Sequence, residues 1–181
     1  MRSAICLSRC FVLAAVVASG ASGVVLRADE SFRITPIVRD NQVLVSFDVA
    51  DAYTQAVRDA IASGLTTTIT YELQLRTVAW VDRTIVSAIV SSSDHYDNLT
   101  RKHTLSRIVN GHVEETLVTD EERLAKTWLT SWTRLPLCDT TRLDPARDYY
   151  VRISARTRPF AESLLGLTKS ITGQAKFTFI P

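Results

Sequence analysis

The sequence predicts a mainly β domain, an antiparallel β-sandwich or strongly curved sheet with two short inserted α-helices. Three observations predict it. Leu65, Ile69, Tyr71, Leu73 and Leu75 alternate with Thr66, Thr68, Thr70, Glu72, Gln74 and Arg76. That two-residue period marks a strand with one face on a core and one in water. Asn110-Gly111 separates two strand-like runs, and an Asn-Gly loop is a strong hairpin signal because both positions take positive φ. Two segments, Tyr53 to Ile61 and Thr119 to Leu129, change to helical spacing.

The elements follow in order. Phe32 to Val38 reads as a strand interrupted at Pro36, which suits a sheet edge or a bulge. Val43, Val45, Phe47 and Val49 alternate with Gln42, Ser46 and Asp48, and only Leu44 breaks the pattern. The first helix carries Tyr53, Ala56, Val57, Ala60 and Ile61 on one face, with Asp51 as the expected cap and Gly64 as the left-handed stop. After the long strand, a turn at Val81-Asp82-Arg83 leads to Thr84–Ser92, apolar on both faces and so central in the sheet. Leu99–Val109 and Val113–Val118 flank the Asn-Gly turn, in a register that sets Arg107 opposite Glu114. Thr119-Asp120-Glu121-Glu122 reads as a capping box for the second helix, whose buried stripe is Leu124, Ala125, Trp128 and Leu129. Thr133–Cys138, Asp148–Thr157 and Ala175–Ile180 complete the strands, and Phe160–Gly173 is ambiguous.

The start of the chain has a different character. Arg2 and Arg9 precede an apolar run from Cys10 to Val17, then Ala18-Ser19-Gly20-Ala21-Ser22-Gly23. A basic start, an apolar centre and small residues form a secretory signal, so residues 1–28 are expected to be removed by a cut between 20 and 28. Residues 29–181 then form one β-rich domain. The rival reading keeps Cys10 to Leu26 as an uncleaved membrane anchor, at the short end of a bilayer span. Either way the domain is expected to be exported, periplasmic or otherwise extracytoplasmic.

Composition is that of a globular domain, with 46% hydrophobic and 22% charged residues. Loss of Arg2 and Arg9 brings the net charge of +2 to about zero, which gives no electrostatic case for nucleic acid. Of three cysteines, Cys6 and Cys10 lie in the signal, so Cys138 has no internal partner. It reads as a buried small hydrophobe rather than a thiol that pairs between chains.

No motif announces chemistry. His95, His103 and His112 share one stretch with Asp94 and Asp97, but not at metal-ligand spacing, and they read as surface or hairpin histidines. No nucleophile elbow surrounds any serine. Asp94-His95-Tyr96-Asp97 reads as a polar hairpin connection, and Asn98-Leu99-Thr100 matches a glycosylation acceptor. Trp80, Trp128 and Trp132 read as core rather than a carbohydrate platform. Tyr150, Arg152, Arg156 and Arg158 share one strand face around Ser154. Arg and Tyr are enriched at interfaces, so this is the candidate interaction face. Its plain alternative is a solvated face balanced by acids on a neighbouring strand.

Val43–Val49 through Asp51-Ala52-Tyr53, then Ala60-Ile61-Ala62-Ser63-Gly64-Leu65, then Tyr71-Glu72-Leu73-Gln74-Leu75 form a recognisable series. Trp80 and the step Tyr96-Asp97-Asn98-Leu99-Thr100 extend it. The series resembles a family of exported bacterial domains of unknown function, often encoded beside a sensor histidine kinase. The resemblance covers most of the mature chain. It implies an envelope accessory or sensing role with a membrane protein such as a sensor kinase as partner, and it implies no site residues.

The expected function is a non-enzymatic binding or interaction module in the bacterial envelope, with no cofactor, catalytic residue or metal and no nucleic-acid partner. The rival is a small-ligand or lipid carrier with a pocket between the sheet layers and the helices. Cys138 supplies a test: a thiol reagent should modify it in the unfolded chain and be held off in the folded one. Fast labelling of the native form would show the thiol exposed.

Overall fold

The computed structural model describes residues 32–79, 83–159 and 170–179. The expected signal segment, Trp80 to Asp82 and residues 160–169 therefore lie outside the described residues. Nine strands are described: β1 (Arg33–Arg39), β2 (Gln42–Asp48), β3 (Thr67–Thr77), β4 (Thr84–Asp97), β5 (Lys102–Val109), β6 (His112–Thr119), β7 (Ser131–Asp139), β8 (Asp148–Pro159) and β9 (Ser170–Thr178). Two helices interrupt them, α1 (Gln55–Ala62) and α2 (Glu122–Thr130). The strands form a three-stranded sheet, β1-β2-β7, and a six-stranded sheet, β6-β5-β4-β3-β8-β9. Every pairing is antiparallel. The architecture is the expected mainly β sandwich.

The inner faces meet in one core. Val43, Val45 and Phe47 come from β2, Ile69, Tyr71, Leu73 and Leu75 from β3, and Val151 and Ile153 from β8. Phe47 and Tyr71 touch across the layers, ring centroids 5.0 Å apart. Pro36 lies on β1, an edge strand, where its missing N–H costs no ladder bond. At one side of the sandwich Phe32 covers Gly173, and a Cβ there would stand 2.6 Å from its ring. Helix α2 joins the core through the Tyr71 hydroxyl, which donates to the Leu129 carbonyl at 2.6 Å. A smaller cluster of Leu105, Ala125 and Trp128 seats α2 on β5. Leu124, expected in that stripe, is instead exposed.

Several local signals are overridden by tertiary context. Asp51 does not cap α1. It lies in a 3-10 turn, Ala50–Ala52, that buries Ala52 before the helix starts. Thr54 caps instead, its hydroxyl accepting from the Val57 N–H. The Thr119 box also fails, because α2 begins two residues later than that motif requires, and the Thr119 hydroxyl accepts from the Glu121 N–H. Leu99 is not in a strand but almost fully exposed in the β4–β5 turn. Arg107 faces Glu115 rather than Glu114, since a bulge between Arg107 and Ile108 adds one residue to β6. Cys138 pairs with Val43 and is half-buried. Burial pushes its thiol up, so native labelling is slowed rather than abolished.

The end of α1 matches expectation. Gly64 has φ +78°. Its N–H donates to the Ile61 carbonyl, and the Leu65 N–H donates to the Ala60 carbonyl. These two bonds form a Schellman cap. A Cβ at Gly64 would lie 3.0 Å from Asn98 Nδ2. Gly64→Val should therefore cost about 1–2 kcal/mol in urea denaturation, the penalty of a β-branched residue in the left-handed region. An unchanged midpoint would contradict this assignment.

Candidate functional site

Two places concentrate polar chemistry. The first is the outer face of the six-stranded sheet. Because β3 and β8 pair in register, Arg152 stands opposite Gln74, Ser154 opposite Glu72, and Arg156 opposite Thr70. On the other side of β8, Gln174 and Thr172 of β9 face Arg152 and Ser154, and Lys176 faces Tyr150. Alternation carries all of these away from the core. Among the described residues no element packs over this face.

The predicted face is thus assembled, with two differences. Tyr150 is only 8% exposed, with the Arg76 guanidinium 5.9 Å from its ring centroid. It belongs to the platform rather than to the contact surface. Arg158 occupies the next alternate position of β8, opposite Thr68, and its side chain lies outside the described residues. Sequence reasoning missed what the sheet adds: Arg76 and Lys176 extend the basic stripe across three strands. Glu72 is the acid on the neighbouring strand, 3.9 Å from Arg156 in an exposed ion pair and hydrogen-bonded by Gln74. Such a pair contributes little to stability. Arg152 and Lys176 have no ion-pair partner among the described residues. Towards β4 and β6 the same face turns apolar, with Ile89 and Val113 well exposed.

The second place lies on the inner side of the β4–β5 hairpin. Asp94 is fully buried and His103 is 5% exposed. His103 Nδ1 bonds both carboxylate oxygens of Asp94, at 2.9 and 3.1 Å. Burial pushes the Asp94 carboxyl up, and the His103 bond partly offsets this. The Tyr96 ring packs on His103, centroids 4.6 Å apart. Neither residue is the surface or turn residue that the sequence suggested. Inward alternation was the available signal: Val90, Ser92 and Asp94 share one parity on β4, and His103, Leu105 and Arg107 share one on β5. His95, by contrast, faces outward to Thr66, and His112 is exposed. Asp97 does act in the turn, accepting from the Leu99 N–H and the Thr100 hydroxyl. These bonds hold its carboxyl below the usual range.

Further along β5 a cation, Arg107, is half-buried. The Arg107 guanidinium lies 4.3 Å from the Trp128 ring centroid and 4.7 Å from that of Trp132. It donates to the Ser131 carbonyl at 2.8 Å. Burial lowers its pKa, which Glu115 partly offsets. Trp128 and Trp132, each 6% exposed, are therefore core, holding the strand side chain to α2. Trp80 lies outside the described residues.

The sequence was also compared with family models. The model of DUF4390, a domain of unknown function, matches residues 30–161. The chain belongs to the DUF4390 family. The match spans β1 to β8 and so includes the Asp94–His103 pair and the Arg152–Arg156 stripe, while β9 lies beyond it. Comparison of this DUF4390 chain with curated proteins, and with solved structures, returns no match.

In this DUF4390 domain the buried pair has a measurable structural role. Asp94→Ala removes the acceptor of a buried imidazole N–H and should cost about 1–3 kcal/mol in urea denaturation. Asp94→Asn keeps an acceptor oxygen and should cost less than about 1 kcal/mol. Equal losses in the two variants would show that the hydrogen bond is not what matters.

Proposed function

We propose that the chain is an exported envelope domain that works by binding, docking a partner on the open face of its six-stranded sheet. The carrying observation is the basic stripe of that face. Arg76, Arg152, Arg156 and Lys176 stand together, with Glu72 among them and Asp148 at the start of β8 as acids of the same face, and with Ile89 and Val113 exposed beyond. Charge complementarity selects an acidic partner segment and speeds encounter, and the exposed apolar end supplies desolvated contact. The partner class is a membrane protein such as a sensor kinase, in keeping with an accessory role in membrane signalling. The rival, a lipid or small-ligand carrier, needs a pocket between the sheet layers and the helices. Between the layers the space is filled by Val43, Val45, Phe47, Tyr71 and Leu73, which supports the docking reading over a ligand held inside the sandwich.

A photo-crosslinking residue at Gln174, on the outer face, tests this in intact cells. It should capture one membrane protein, and the double variant Arg152→Glu/Arg156→Glu should abolish the capture. Stability should stay within about 1 kcal/mol, since both side chains are exposed. Capture that survives charge reversal, or that arises equally from Thr35 on the opposite sheet, would overturn the proposal.

A further inference from the structure

Four strands end the two described sheets, β1 and β7 in one, β6 and β9 in the other. An edge strand turns the N–H and C=O of every second residue away from its sheet, and so offers a template for another strand unless something blunts it. Three of the four are blunted. β1 carries Pro36, β7 carries Pro136 and two register shifts, and β9 has Phe32 packed at Gly173. β6 has no Pro, Lys or Arg along His112–Thr119. Its bulge lies at one end, so Glu115–Thr119 runs in regular register with β5. α2 meets it on the inner side, where Leu117 packs on the cluster of Leu105, Ala125 and Trp128. We propose that β6 is a docking edge that accepts an extended, basic segment of a partner protein as a seventh strand.

Charge selects that class. Glu114 and Glu115 lie on β6, and Asp120, Glu121 and Glu122 follow it directly, so residues 112–122 hold five carboxylates and no Lys or Arg. All five residues are exposed. Glu115 stands 3.7 Å from Arg107, and the other four have no ion-pair partner among the described residues. Arg107 is held against Trp128 and Trp132, and Lys126 stands over the Tyr53 ring, which leaves Arg123 as the remaining cation of α2. The acids of β6 therefore do not close the edge to every strand. They select a basic one.

The side chains set the spacing. Val113, Thr116 and Val118 stand on the outer side, opposite Ile108, Ser106 and Thr104, and the bulge brings Val113 onto that side. Val113 and Val118 are 65% and 56% exposed. Glu115 points to the other side, with Arg107. A segment that alternates β-branched residues with Lys or Arg places apolar groups beside the valines and cations beside the carboxylates. Main-chain bonds to the edge then supply affinity, and the alternate side chains supply specificity. A second copy of this chain fits poorly, because β6 against β6 brings both sets of carboxylates to one seam.

The test titrates the full chain with the acetylated, amidated peptide Thr-Val-Lys-Val-Lys-Val-Thr and reads backbone hydrogen exchange by NMR. Saturable binding is expected, with exchange slowed within residues 113–119 and unchanged in β9. Proline in place of the peptide's central valine keeps its charge and removes a ladder N–H, and should abolish the slowing. Glu114→Lys, at an exposed position, should weaken the peptide's affinity by about 3–10-fold, the scale of turning one exposed attraction into a repulsion. Absence of saturable binding, equal slowing by the proline peptide, or an affinity unchanged in Glu114→Lys would overturn the proposal. So would β6 exchange that slows with the concentration of the chain alone, the mark of a second copy on this edge. Arg152 and Arg156 stand on β8, four strands from β6, so failure here and failure of docking on the basic face are separate results.

Discussion

Everything in this domain depends on the one-sided burial of β3. The strand sits inside the six-stranded sheet, paired along its length to β4 and to β8. Ile69, Tyr71, Leu73 and Leu75 are wholly buried on its inner side, each contributing about 1.5–3 kcal/mol by removal from water. A slip of one residue would send all four into solvent. The same constraint fixes the register of β8, and so it places Arg152 and Arg156 outward beside Glu72. The basic face is the reverse side of the core: the alternation that buries one set of side chains presents the other.

Tyr71 extends this constraint to the helices. Its ring packs on Phe47 of the opposite sheet and its hydroxyl holds the Leu129 carbonyl. Burial raises its pKa far above the ordinary phenol range, so the hydroxyl remains a donor at any physiological pH. With α2 held there, Trp128 and Trp132 close over Arg107, and the start of α2 brings Asp120 and Glu122 to a cleft that His103 lines. One buried phenol thus links the sandwich core to the polar pocket beside it.

Much of this was legible in the chain because it rests on short-range rules. Alternation in β3 and β2, the Asn-Gly hairpin, Pro36 on an edge and Gly64 at a Schellman cap each follow from a few neighbouring residues. What failed needed information from further away. Thr54 displaced Asp51 as cap because burying Ala52 requires an additional turn. The bulge after Arg107 moved its partner by one residue, which no local pattern announces. The Asp94–His103 pair forms diagonally across a hairpin whose turn position is set only by the full β4–β5 register. The outer face was half legible: Arg152 and Arg156 were visible on one strand, but Arg76 and Lys176 joined them only once three strands lay side by side. Tyr150 shows the converse, since parity placed it outward while the Arg76 side chain covered it.

If the docking proposal holds, the outer face of the six-stranded sheet is an occupied surface in the cell. The most direct measurement places a cysteine at Thr172, on that face, and compares its rate of thiol labelling in intact cells with that in the purified chain, by peptide mass spectrometry. A cysteine at Thr35, exposed on the opposite sheet, serves as reference. Selective slowing at position 172 in cells, with position 35 unaffected, is the predicted result. Equal rates at position 172 in both settings would mean that nothing docks there, and would contradict the account.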